Sequence, residues 1–210
     1  MKLKHNLLLL FAFLSFSINC HAQLLPEKQI RFHKDYSQTG LVFGTLTFPE
    51  IKIRFDGYLL WLGCKEDGKE QWKSCGKIYL TPQMFKKKHK GELDEGRTYL
   101  FAYEKPPGQY VISGLRLIIL KVALGGTYTG PDTDITGFSI PFDVKKGQIT
   151  YIGNININEY AFKGEQVVTL KDEFTKDMNA IKNIHKMVNW DIAVKSTLEL
   201  NHSSGTEQQN

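Results

Sequence analysis

The sequence is poor in the residues that announce chemistry. Across 210 residues there are 3 cysteines and 6 histidines. No His-Glu-x-x-His occurs, and His33, His89, His185 and His202 stand too far apart to suggest a shared metal. There is no Cys-x-x-Cys, no Gly-x-Ser-x-Gly, and no Gly-x-x-x-x-Gly-Lys-Ser/Thr. These absences argue against zinc hydrolases, nucleophile-elbow hydrolases and P-loop enzymes, and no cofactor is expected. Charge of one sign is also scarce. With 27 Lys+Arg against 22 Asp+Glu, the formal net charge of +5 falls well short of a nucleic-acid-binding footprint, so no nucleic-acid partner is expected.

Long apolar runs are missing beyond the first. Lys2 and Lys4, then the apolar stretch Leu7 to Ile18, then Cys20 and Ala22 form the three parts of a secretory signal over 1–22. The stretch is too short to cross a bilayer comfortably. Cleavage after Ala22 leaves Gln23 first and lowers the charge to +3, since the leader holds two lysines and no acid. Cys20 raises the alternative of an outer-membrane lipoprotein, but Asn19 before it is a poor lipobox residue. The expected location is therefore periplasmic or secreted, with the lipoprotein as the alternative.

In the exported chain two cysteines remain, Cys64 and Cys75, separated by "KEDGKEQWKS". An even count in an oxidising compartment predicts a disulfide at the base of a hairpin. Closing a loop this short would add roughly 3 kcal/mol in the chain-entropy account. Trp72 stands out in this polar loop as a large ring with no evident core to enter.

Turn residues at short intervals predict an all-β body over 40–171, after an N-terminal extension at 23–39. The predicted strands are 41–48, 51–63, 76–85, 97–104, 105–120 with a break at Gly114, 142–157 and 165–171. Tyr99, Phe101 and Tyr103 share one face; Ile149, Tyr151, Ile155 and Ile157 share another, with Asn154 and Asn156 pointing to solvent. From Asp172 the period changes. Phe174, Met178, Ile181, Ile184 and Val188 predict an amphipathic helix with Asp172 as N-cap, His185 at the edge of its apolar stripe, and a short strand at 191–200. The tail 201–210 lacks apolar residues and is expected to be disordered.

The segments "PPGQYVISGL" and "FDVKKGQITYIGNINI", followed by a late helix, resemble exported bacterial envelope proteins and lipoproteins that carry a domain of unknown function. The first half also resembles transthyretin-like and carboxypeptidase-regulatory-like β-sandwiches. The resemblance covers roughly 40–190 in organisation. It implies a single antiparallel β-sandwich, Ig-like or transthyretin-like, with one C-terminal helix. Its residues are turn and core residues, so it carries over no active site.

Three candidate surfaces remain. In "GGTYTGPDTDITG", a long glycine-rich loop, Asp132 and Asp134 are the one Ca²⁺ candidate, though the loop does not complete an EF-hand. Lys86, Lys87 and Lys88 form a basic run that could meet an anionic membrane surface, although acids follow at once. Trp72 is the third. The expected function is a non-enzymatic envelope protein whose sandwich binds another envelope protein or a glycan. The alternatives are a hydrolase of envelope polymers using paired carboxylates, or an assembly subunit pairing through an edge strand.

Overall fold

Short runs of β-branched and aromatic residues, alternating with polar ones and broken by glycine turns, form fourteen strands among the described residues. The computed structural model describes residues 30–31, 36–65, 69–82, 88–123, 126–130 and 132–202, with backbone alone at 30–31, 122–123 and 126–129. The expected leader, with Cys20, and Lys86 and Lys87 fall outside these residues.

One sheet runs in the order β1 (Ile30–Arg31), β5 (Thr98–Lys105), β2 (Gly40–Thr47), β11 (Ile149–Ile157) and β12 (Val168–Lys171), with β13 (Val194–Lys195) also beside β11. The other runs β14 (Asn201–His202), β10 (Phe138–Val144), β6 (Gly108–Ile118), β3 (Gly57–Lys65) and β4 (Trp72–Leu80), with β9 (Thr133–Ile135) beside β6. A hairpin of β7 (Leu120–Ala123) and β8 (Gly126–Thr129) stands apart. The second sheet is antiparallel throughout. In the first sheet β11 runs parallel to β2, as do β1 to β5 and β13 to β11.

Between the sheets lies one apolar core. Val42, Tyr99, Phe101, Ile152, Ile155 and Ile157 come from the first sheet, and Leu60, Leu62, Ile112, Leu115, Ile140 and Phe142 from the second. Among the described residues the fold is therefore mainly β, two face-packed sheets with one α-helix. That helix, α1 (Phe174–Ile184), covers the outer face of the first sheet. Met178, Ile181 and the following Val188 and Trp190 bury Leu41, Phe43, Leu100, Ala102, Ile149 and Tyr151. Asp172 lies one residue outside the cap position, where its Oδ1 accepts the Phe174 N–H at 3.1 Å. Ile184 is exposed rather than part of the buried stripe, and His185 ends the helix half-buried, its carbonyl accepting the Trp190 indole N–H at 2.8 Å.

The predicted face of β11 divides in two. The pairing with β2 slips between Tyr151 and Asn154, and Gly153 sits at φ +108°. A bulge of this kind moves every later side chain to the opposite face. Ile149 and Tyr151 therefore face the helix, while Ile152, Ile155 and Ile157 enter the core between the sheets. Asn154 does not reach solvent: it is 2% exposed and donates to Thr45 Oγ1 at 2.5 Å and Thr47 Oγ1 at 2.7 Å.

Other segments differ from expectation. Residues 51–56 are not a strand continuing into β3, because their polar groups are held elsewhere: the Arg54 N–H by Glu159 and the Asp56 carboxylate by the Leu120 N–H. Trp72 lies at the start of β4 rather than in a loop. The 125–137 segment contains β8 and β9 rather than one long loop. Asn201 and His202 of the expected tail pair with Ser139 and Phe138.

Asp177 of α1 is fully buried, and its Oδ2 accepts the hydroxyls of Thr45 and Tyr151, both at 2.7 Å. Among the described residues its Oδ1 has no hydrogen-bond partner, and burial holds the carboxyl above its ordinary value despite those two donors. The folded chain thus keeps this proton to a higher pH than the unfolded chain, so stability contributed here falls as pH rises above about 3.9. Asp177→Asn keeps one oxygen for the two hydroxyls and removes the charge. Urea midpoints between pH 4 and 7 should decline more steeply for the wild type than for Asp177→Asn; parallel profiles would contradict the assignment.

Candidate functional site

Two polar constellations warrant comparison, one sealed and one open. In the sealed one, Phe48 stacks on His89 with centroids 4.0 Å apart, and both side chains of the His89–Glu159 pair are 0% exposed. Glu159 Oε1 lies 3.2 Å from His89 Nε2. Its Oε2 accepts the Arg54 N–H at 3.0 Å and the Tyr58 hydroxyl, and its backbone carbonyl accepts Arg54 Nη1 at 2.7 Å. On the other side, the Tyr99 oxygen accepts the Lys90 N–H at 2.9 Å and stands 3.2 Å from His89 Nδ1.

One proton arrangement satisfies all of these contacts: the Tyr99 oxygen accepts from Lys90 while its hydroxyl donates to Nδ1, and His89 donates Nε2–H to Glu159. Burial, followed by the adjacent Glu159 carboxylate, pushes the Tyr58 phenol well above its ordinary value. Burial likewise raises Tyr99 to about 12. Every side-chain polar group of the cluster is thus engaged, and no face of the His–Glu pair is open to a substrate. The cluster joins the 48–58, 88–99 and 158–160 segments and acts as a lock on the fold. Nothing in sequence signals it, because its partners are 70 and 101 residues apart.

The open constellation is a cavity of about 460 Å³ where β10 meets the C-terminal segment. From β13 to β14 that segment passes from the edge of the first sheet to the edge of the second. The cavity is lined by Trp72 and Lys65 of the β3–β4 hairpin, Gln109 of β6, Asp143 of β10, Thr150 of β11, and Thr197 and Glu199 of the C-terminal segment. Trp72 is 44% exposed, and the Lys65 ammonium lies 4.9 Å from its ring centroid. An exposed cation–π contact of this kind is worth about 0.5–1 kcal/mol. Thr150 is 3% exposed, yet among the described residues its Oγ1 has no hydrogen-bond partner. Such an orphaned buried hydroxyl is uncommon, and it lines the cavity.

The remaining candidates are placed as follows. Cys64 and Cys75 are neighbours on the β3–β4 hairpin, with Cys75 at the bulge opposite Leu62 and Gly63. Both are half-buried free thiols in this structure. Burial, and then the hydrogen bond and charge of Cys64, raise Cys75 to about 12. Asp134 does not share an ion site with Asp132, because its two oxygens are taken bidentately by Arg116 at 2.7 and 2.8 Å. Among the described residues no cluster of three or more His, Cys, Asp or Glu could hold a metal. Lys88 bridges to Lys52 through backbone pairing. Among the described residues, no helix is long and apolar enough to cross a membrane. Of the candidate site residues named in the sequence only Trp72 lines the cavity; Gln109, Asp143 and Thr150 lie inside the two quoted motif segments, where nothing marked them as site residues.

No protein-family model matches the chain, and no curated protein or solved structure matches it significantly.

Proposed function

We propose that this chain is an exported, non-enzymatic β-sandwich module that binds a saccharide of the bacterial envelope in the Trp72 cavity. One observation carries the reading: a half-exposed tryptophan and an unpartnered buried threonine hydroxyl line the same cavity. A sugar ring presents C–H faces that stack on an aromatic ring, and hydroxyls that need amide, hydroxyl and carboxylate partners at its edge. Trp72 supplies the first, and Thr150, Gln109, Thr197, Asp143 and Glu199 supply the second. The leader-like sequence at 1–22 supports export. So does the contact between two thiols on one hairpin, which an oxidising compartment would close as the Cys64–Cys75 staple.

Asp143 and Glu199 line the same cavity, which keeps the hydrolase as the second reading. A glycan array probed with the mature protein tests both. Saccharide binding without product release is expected, with Trp72→Ala weakening it about tenfold, or ~1.4 kcal/mol. No binding at millimolar saccharide would end the proposal; steady release of shortened product, lost in Asp143→Asn, would favour the hydrolase.

A further inference from the structure

The outer face of the second sheet continues from this cavity and is not the face that α1 covers. Along β3, Tyr58, Leu60 and Leu62 enter the core, so Leu59, Trp61, Gly63 and Lys65 occupy the outer face. Their partners on β4 are Tyr79, Lys77, Ser74 and Trp72. On β6, Arg116 lies opposite Leu59 and Gly114 opposite Trp61.

Three rings therefore share one face: Tyr79 and Trp61, both half-buried, and Trp72, which is exposed. Each has a cation above it. Lys77 Nζ is 5.8 Å from the Tyr79 centroid, the Arg116 guanidinium 5.2 Å from Trp61, and Lys65 Nζ 4.9 Å from Trp72. Trp61 and Lys65, the partner of Trp72, are four residues apart, about 13 Å at ~3.3 Å per residue; Leu59 and Trp61 are about 7 Å apart. Gly114 keeps the middle of the strip flat, since a side chain there would press within 3.1 Å of the Trp61 ring.

We propose that this strip is an extended site for an anionic polysaccharide, a polymer bearing uronate carboxylates; the proposal rests on the saccharide reading of the cavity. Charge complementarity selects the occupant. Among the described residues the Lys65 ammonium over the exposed Trp72 ring is held only by that weak contact, so it would move aside when a sugar face stacks there and lie beside the ring, where an uronate carboxylate would sit. The row of rings runs on the order of 20 Å at ~3.3 Å per residue, which suits several sugar units of one chain rather than a single residue. Asp134 on this face is paired bidentately with Arg116, so that ion pair adds no net charge, and Lys65 and Lys77 supply the positive charge of the strip.

The test titrates the full mature protein with polygalacturonate, its methyl-esterified form, galacturonate trimer and polyglutamate. Polygalacturonate should bind at least tenfold more tightly than the trimer and lose affinity as salt rises. Trp61→Ala should remove most of that gain while leaving trimer binding unchanged. Lys77→Gln, an exposed change that spares the fold, should weaken the charged polymer several-fold. Equal affinity for the charged and esterified polymers, no gain of polymer over trimer, or polyglutamate binding as tight as polygalacturonate would each overturn the strip. Trimer binding lost in Trp72→Ala, with no polymer gain, retains the cavity and rejects the strip; failure of every saccharide rejects both.

Discussion

Replacing Glu159 with alanine is expected to lower the melting temperature by roughly 6–12 °C, the equivalent of about 3 kcal/mol in a chain this size. The substitution strands three groups in the interior: the Tyr58 hydroxyl, the Arg54 N–H and His89 Nε2. Among the described residues none has another acceptor, and water does not reach the His89–Glu159 contact, where both side chains are 0% exposed. A buried donor left without an acceptor costs about 1–3 kcal/mol, and partial collapse around the cavity offsets some of the sum. A loss under about 3 °C would show that the cluster is not a lock.

Glu159→Gln separates charge from hydrogen bonding. The amide keeps one oxygen for Tyr58 and the Arg54 N–H, and turns its NH₂ toward His89. His89 accommodates this by exchanging tautomers, accepting at Nε2 and donating from Nδ1 to the Tyr99 oxygen, at the cost that the Tyr99 hydroxyl gives up Nδ1 as its acceptor. The glutamine variant should therefore retain more than half of the stability that alanine loses. Equal losses in both variants would mean that the charge of Glu159, rather than its hydrogen bonds, holds the segments together.

The contrast between the two polar constellations explains what was legible in the sequence. Alternation such as Tyr99, Phe101 and Tyr103 is a local signal, and all three pack on the inter-sheet core as expected. The change to helical spacing after Asp172 was equally local, and α1 begins two residues beyond it. The sites depend instead on distant pairings. Glu159 meets Tyr58 across 101 residues, and the cavity joins the β3–β4 hairpin to residues 194–199. Ile51, Ile53 and Phe55 alternate as a strand would, yet the segment gives its N–H groups and acids to non-local partners. Trp72 was detectable because a large ring among polar neighbours is a local anomaly; Thr150 was not, because its oddity is an absent partner.

Gly153 is the point where local pattern and global fold part company. Gly153→Ala places a side chain at φ +108°, a strain of about 1–3 kcal/mol, and brings its Cβ within 2.5 Å of Leu170 Cδ1. The leucine tip can swing aside, so the backbone strain dominates, and a shift in the urea midpoint corresponding to about 2 kcal/mol is expected. Deleting Gly153 is a different perturbation. It removes the extra residue itself, so Tyr151, Ile152 and Asn154 would pair in turn with Phe43, Gly44 and Thr45. Ile149 and Tyr151 then stay on the helix side, and Ile152, Ile155 and Ile157 stay in the core. The deletion variant should therefore unfold cooperatively, with a urea midpoint above that of Gly153→Ala. Loss of a cooperative transition would mean that the bulge itself, and not only the facing it sets, is required.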